Sequence, residues 1–367
     1  MNRRSFISSL ALGTTGLAIS GGLSSCMGTY KPNIINAAWD EKFVFDSPDK
    51  FQIIQQILRC GLMAPSPYNT QPWLFRITDD RIVLLPDMER SLHIADPGNR
   101  ELFISQGTCI ENMSIASSRF SVDLSNILID KEDVSIDFNF KSNFPNADKS
   151  LFKSMLKRQT NRRLYEQKEL DSSKIKPLID ESSHMFGIKW INQKNEIDLL
   201  IDYVKESNRL LFGNPKYLDE LKKWTRFSDS EAEEKLDGLY LRAMNKATTA
   251  RWLGEIGYNL NVTAETESRK EVKKIRSASG FILFFSDDKR ETLIETGRQI
   301  ERTSVKITEM GLSCDYNNQS CRAVAVRNSF ASDFGFKGLV PQAVLRIGYS
   351  EPSIRSPRRK IKDLIIS

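Results

Sequence analysis

Two segments of the chain share one pattern. "SQGTCIENMSIASSRF" starts at Ser105 and "ETGRQIERTSVKITEMGL" starts at Glu295. Each carries a glycine at its third position, then alternates apolar and polar residues and runs to a helix end. The elements around them also repeat: helices, a strand, a long amphipathic helix carrying a glycine, then more strand. This order predicts two related α+β halves in one chain, joined near residues 141–150. The first half is expected over 49–145 and the second over 146–367.

Local signals fill in the halves. Residues 49–63 place Phe51, Ile54, Ile57, Leu58 and Leu62 on one helical face. "WLFRIT" and "RIVLLPD" alternate like paired strands, and "VDLSNILI" and "VSIDFNF" read as two more. Helix signals resume over "SLFKSMLKRQTNRRLY", "SSKIKPLIDESSHM" and "EIDLLIDYVKESNRLLF". "GIKWIN", "ASGFILFFS" and "QAVLRIGY" read as strands of the second half. Residues 213–262 are mixed and have no counterpart in the first half. They are expected to form a helical insertion covering the site, a lid bearing Trp224, Tyr240, Trp252 and Tyr258.

The formal charge is +6, from 53 basic and 47 acidic residues spread along the chain. No clustered basic face or zinc-finger motif points to nucleic acid. There are two histidines, His93 and His184. Neither has a Cys or His partner at metal-ligand spacing, which argues against a zinc enzyme or a histidine-based hydrolase. Among the cysteines, Cys314 and Cys321 are close enough in sequence for a disulfide, while Cys60 and Cys109 read as buried thiols.

The first residues read as an address. Arg3 and Arg4 precede Ser5 and Phe6 and a short apolar run, which resembles a twin-arginine signal. Leu23-Ser24-Ser25-Cys26 resembles a bacterial lipobox. Residues 1–26 are therefore expected to be a signal peptide, with Cys26 lipidated and 27–48 a linker. The chain would be exported by the twin-arginine route and held at the cell envelope by lipid, on the periplasmic side or at the outer membrane. The apolar run is short and broken by Gly and Thr, whereas a span needs ~20 predominantly apolar residues.

Between the first helix and first strand lies "APSPYNTQPW". It resembles the flavin-ring loop of the nitroreductase family: Ala-Pro-Ser, two variable residues, Asn, then Gln-Pro-Trp. "KRQTNRRLY" resembles that family's phosphate motif. "ADPGNRELFISQG", "TEMGLSCDYNNQS" and "RIGYSEPSIRSPRRKI" look like its Acg subgroup, and the resemblance covers most of residues 50–367. It implies a nitroreductase-like α+β fold, an internal pseudo-dimer acting as a monomer, with one FMN. An ordinary nitroreductase draws the phosphate motif and the loop from different subunits; here the loop lies only in the first half and the phosphate motif only in the second.

By this resemblance Pro65 and Pro67 rigidify the ring loop, and Ser66 and Asn69 bond the flavin ring and ribityl chain. Gln71 and Pro72 turn the chain into the strand at Trp73. Arg158, Thr160 and Arg162 take the phosphate, since arginine's planar fork suits it. Arg358 is the late basic ligand, with Arg359 as its substitute. Asn318, within Asn317–Gln319, lies near the flavin's reactive edge, where the sequence departs from the family's acidic-Gly pattern. The implied function is FMN-dependent oxidoreduction between a small-molecule electron donor and acceptor, a quinone, nitroaromatic or similar compound. The flavin N5 carries the hydride, so no side chain need act as catalytic acid or base. The alternative is a non-catalytic, FMN-sequestering stress protein on the cell envelope. An adhesive surface lipoprotein would explain the signal but not the motifs.

The lipobox reading is checked by fractionation. Cys26→Ser should move the protein out of the membrane fraction, and Arg3→Lys with Arg4→Lys should strand it in the cytoplasm. Membrane retention of an unprocessed Cys26→Ser protein would instead mean an uncleaved anchor.

Overall fold

The computed structural model describes residues 39–40, 42–45, 47–141, 148–180 and 186–366. The signal segment with Cys26, most of the 27–48 linker, the junction at 142–147 and His184 lie outside the described residues.

Asp49 starts α1 (Lys50–Gly61). Its carboxylate accepts from the backbone N–H of Phe51 at 2.9 Å and of Gln52 at 3.3 Å, two donors that the helix itself leaves unpaired. Ile53, Ile54, Ile57 and Leu58 form the buried face. β1 (Trp73–Ile77) and β2 (Arg81–Pro86) pair antiparallel, Trp73 opposite Pro86 and Ile77 opposite Ile82. α2 (Arg100–Ser117) is buried along most of its length. β3 (Val122–Ile129) and β4 (Val134–Phe140) complete an antiparallel sheet ordered β1-β2-β4-β3.

α3 (Lys149–Lys157) then ends earlier than the sequence pattern suggests. Arg158 leaves the helix at ψ 133°. The next residues run extended because they join the second half: Thr160 bridges Cys314, and the Asn161 N–H donates to Cys314 O at 2.8 Å. α4 (Ser172–Asp180) leads into β5 (Gly187–Ile191).

An insertion follows: α5 (Lys194–Phe212), α6 (Pro215–Lys223), β6 (Thr225–Arg226), α7 (Asp229–Lys235), β7 (Leu239–Tyr240), α8 (Arg251–Asn261) and α9 (Ala264–Ser277). It thus spans 192–279, longer at both ends than 213–262. The chain resumes with β8 (Gly280–Ser286), α10 (Arg290–Glu309) and β9 (Ser313–Tyr316). After short helical segments at Gln319–Arg322 and Arg327–Asp333 comes β10 (Val340–Gly348).

The second sheet is antiparallel and ordered β5-β8-β10-β9. Both sheets therefore place their strands in the order first, second, fourth, third, with the long helix between second and third. The tail exchanges back: Leu364 joins the first-half core, and Ile365 bridges Phe75 of β1.

α2 and α10 cross in backbone contact. A Cβ on Gly107 would lie 1.9 Å from Ile294 O, and one on Gly297 would lie 2.0 Å from Ile104 O. Each glycine faces the carbonyl three residues before the other, so the contact is reciprocal. Only a residue without Cβ permits this approach.

Gly107→Ala and Gly297→Ala should each destabilise the protein by about 3 kcal/mol or more, because neither facing backbone can yield. Gly257 of α8 meets nothing within 4 Å. Gly257→Ala should therefore be neutral or slightly stabilising. Urea or thermal unfolding checks the contrast; equal midpoints in all three variants would remove the crossing from the account.

Candidate functional site

A cavity of about 550 Å³ opens where the halves and the insertion meet. Its walls come from the 65–69 loop, α2, the 160–164 segment, the insertion, the 315–319 segment and the tail at Ser356 and Arg358. The size falls within the roughly 300–1,000 Å³ typical of small-molecule sites.

The 64–73 loop is held in an uncommon backbone shape. Tyr68, Asn69 and Gln71 have φ of 49°, 55° and 52°. Asn tolerates this region, but a bulky residue such as Tyr does so only when its surroundings impose it. The surroundings here are specific. Ser66 Oγ accepts from the Gln71 N–H at 2.9 Å. Thr108 of α2 donates to Pro65 O at 3.0 Å. Asn69 donates to Pro357 O at 3.0 Å and accepts from Arg358 Nη1 at 2.8 Å.

Arg358 is buried and ties the loop down. It also donates to Leu62 O, Met63 O and Ala64 O at 2.7, 3.1 and 3.2 Å. These are the carbonyls just past the end of α1, where a cation is favoured. Among the described residues it has no carboxylate partner. Burial, then the charges of Arg158 and Arg355, push its guanidinium down to about 9. Arg162 is another of the charges acting on it. Arg162 lines the cavity, half-buried, with no partner among the described residues. Arg162 and Arg358 thus line the cavity without a carboxylate paired to either among the described residues.

The predicted site residues divide. Pro65, Ser66, Asn69, Thr160, Arg162, Asn318 and Arg358 share the cavity wall. Gln71 and Arg158 do not. Gln71 is a buried clasp: Nε2 donates to Leu236 O at 2.9 Å, and Oε1 accepts from the Arg359 N–H at 2.8 Å. Arg158 turns inward, its Nε 2.8 Å from Glu301 Oε1 and its Nη2 donating to Met63 O at 3.1 Å. Burial raises the Glu301 carboxyl even beside this arginine. Arg359 pairs with Asp87 at 3.0 Å. Asn318 accepts from the Val344 N–H at 3.0 Å, and the neighbouring Gln319 leaves a buried Oε1 at the wall without a partner among the described residues.

Other wall residues carry no local signal. Glu101 of α2 takes a forked pair from Arg322, at 2.7 and 2.6 Å. The Arg322 guanidinium sits 4.8 Å from the centre of the Tyr68 ring. Burial, then the neighbouring Tyr217, raises Tyr68 well above the usual phenol range. Tyr68 occupies a variable position of the loop motif, and Glu101 and Arg322 are 221 residues apart. Lys246 and Lys274 reach the wall from the insertion. Burial lowers Lys246, with Glu267 opposing and Lys270 and Lys274 adding to the effect.

The insertion is fastened to the first half. Gln71 meets Leu236, the Gly238 N–H donates to Asn69 O at 3.2 Å, and Arg90 pairs with Asp237 at 2.8 Å. Glu220 accepts from the N–H groups of Ile94 and Ala95. Tyr68, Leu92, Ala95, Tyr217, Trp224 and Leu239 form a small core between the two. Cys60, Cys109, Cys314 and Cys321 are buried free thiols, so Cys314 and Cys321 form no disulfide. His93 is exposed and away from the cavity wall. No group of metal-ligating side chains occurs among the described residues.

No protein-family model matches the chain. It is similar over most of its length to two proteins of Mycobacterium tuberculosis. One, "Putative NAD(P)H nitroreductase acg", is 22% identical over 324 residues, 85% of this chain and 95% of that protein. The other, "Putative NAD(P)H nitroreductase Rv3131", is 21% identical over 322 residues, 86% of this chain and 91% of that one. Among solved structures, it is similar to a nitroreductase with bound FMN from Desulfitobacterium hafniense. That match has 11% identity and TM-score 0.37 and covers 60% of this chain and 98% of the other. It is also similar to the FMN-dependent nitroreductase NfnB of Mycobacterium smegmatis, solved with NADPH. There the identity is 13% and the TM-score 0.39, over 60% of this chain and 99% of the other.

Proposed function

We propose that this chain is an FMN-dependent oxidoreductase of the nitroreductase type, a single-chain pseudo-dimer holding one flavin. The observation that carries the reading is one cavity that brings the uncharged, strained loop together with Arg162 and Arg358, neither paired with a carboxylate among the described residues. Similarity along most of the chain to relatives named as nitroreductases supports it.

The residues present fit the cofactor. Arg162 and Arg358 supply the positive charge a phosphate needs, and Thr160 a hydroxyl beside it. Ser66, Asn69 and the unpartnered Gln319 Oε1 offer hydrogen bonds to a flat ring with polar edges. When bound, FMN supplies two-electron transfer from a small-molecule donor to a quinone, nitroaromatic or similar acceptor. The protein's share is to bind and orient. Pro65 and Pro67 stiffen the loop, Gln71 and Arg358 lock its shape, and Asn318 fixes the segment opposite. Arg158 acts from the interior, holding Met63 O and neutralising Glu301. The insertion covers the cavity and keeps water from the ring.

One observation favours a slow or non-catalytic, flavin-sequestering protein: the insertion is bonded to the ring loop itself, through Leu236 and Gly238. Opening it would break the half-buried Arg90–Asp237 pair. Export by the twin-arginine route and lipidation at Cys26 belong to the same proposal, since that route carries folded, cofactor-loaded proteins.

Ligand pairs test the phosphate end. Arg162→Ala should weaken FMN binding about 10- to 100-fold, as a charge-assisted bond worth roughly 1.5–3 kcal/mol is lost. Riboflavin, which lacks the phosphate, should bind the variant and the parent alike. Arg158→Ala should instead lower stability by about 3–5 kcal/mol, by leaving Glu301 buried and unpaired. Equal loss of both ligands in Arg162→Ala would contradict the assignment. Anaerobic bleaching of the visible flavin band by NADPH, reversed by a quinone, separates the enzyme from the store.

A further inference from the structure

α8 packs through the wrong face for an amphipathic helix. Trp252, Leu253, Ile256 and Leu260 are 67, 49, 49 and 74% exposed. At 3.6 residues per turn they share an arc of about 100°. The opposite side does the packing. Gly254 lies against the Phe227 ring, where a Cβ would come within 2.3 Å. The Tyr258 hydroxyl donates to Leu218 O at 3.2 Å, and the Arg251 guanidinium stacks over Phe227. Scattered exposed apolar side chains are ordinary; four forming one stripe mark a contact surface.

We propose that this stripe seats α8 on the surface of a lipid bilayer. An interfacial helix combines an apolar face bearing Trp and Leu with flanking cations. The cations come from α6, which lies alongside through a Lys222–Asn259 bond of 3.3 Å. The acids of the two helices are engaged: Asp219 with Lys222, Glu255 with Arg251, and Glu220 with the Ile94 and Ala95 N–H groups. Lys216 and Lys223 stay exposed and have no partner among the described residues.

The length of chain preceding the described residues points to the same occupant. It carries the lipobox at Cys26, and residues 27–38, up to Trp39 which donates to Ser356 O at 2.9 Å, span at most about 40 Å at ~3.3–3.6 Å per residue. A bilayer is thereby kept within reach, and a lipid chain plus a second contact makes a stable anchor. The proposal rests on the anchor reading only for this proximity. It also favours a lipid-soluble acceptor. α6 faces α8 through Leu218 and presents Tyr217 and Leu221 to the cavity, beside Phe212, Leu239 and Met244.

The test uses full-length, unlipidated Cys26→Ser protein and vesicles of phosphatidylethanolamine and phosphatidylglycerol with brominated acyl chains. The readout is the emission component lost in Trp252→Phe, so binding through the N-terminal segment does not mimic it. That component should be quenched. Leu253→Glu with Leu260→Glu should reduce its partition about tenfold or more, with the unfolding midpoint unchanged. An unquenched Trp252 component in vesicle-bound protein would overturn the proposal. So would a concentration-dependent dimer dissolved by the double variant, since the stripe would then belong to a second copy. Failure of lipidation at Cys26 leaves this readout intact.

Discussion

The contact between Gly107 and Gly297 sets the rest of the molecule. Two buried helices can approach this closely only where neither carries a Cβ. The reciprocal contact brings the two sheets together with their like elements related about one point. Everything in the cavity depends on that closeness. α2 brings Glu101 and Thr108 to the wall, while α10 brings Ile300 to it and Glu301 to Arg158 behind it.

The site is asymmetric although its scaffold repeats. The first half provides the strained loop, and the second provides Thr160 and Arg162. The tail then crosses back with Arg358 to pin the loop that it faces. The insertion lines another side of the cavity. A binding loop with three residues at positive φ costs roughly 1–3 kcal/mol per residue. Here it is offset by bonds from both halves, so the loop's shape reports the assembly of the whole chain.

Much of this was legible in local sequence. The Ala64–Trp73 loop stands out because prolines, small hydroxyls and amides are dense there and charges absent. The strands and long helices follow from apolar period, and the repeat from their order. What stayed hidden was partner choice over long separations. "KRQTNRR" reads as a uniform basic run, yet Arg158 turns inward to Glu301 while Arg162 faces the cavity. Nothing near Arg158 signals a carboxylate 143 positions later. The Glu101–Arg322 fork and the Gln71–Leu236 clasp escape for the same reason. α9 escapes differently: its sequence is so polar that its buried side, Glu271, Ile275 and Ser277, leaves little apolar period.

The central claim is that two different halves build one flavin site. Flavin content per chain tests it most directly, by absorbance after reconstitution with excess FMN and by native mass of the complex. About one FMN per monomeric chain is expected, since the loop, Arg162 and Arg358 occur together in one cavity. Two flavins per chain, or none with excess FMN, would contradict it.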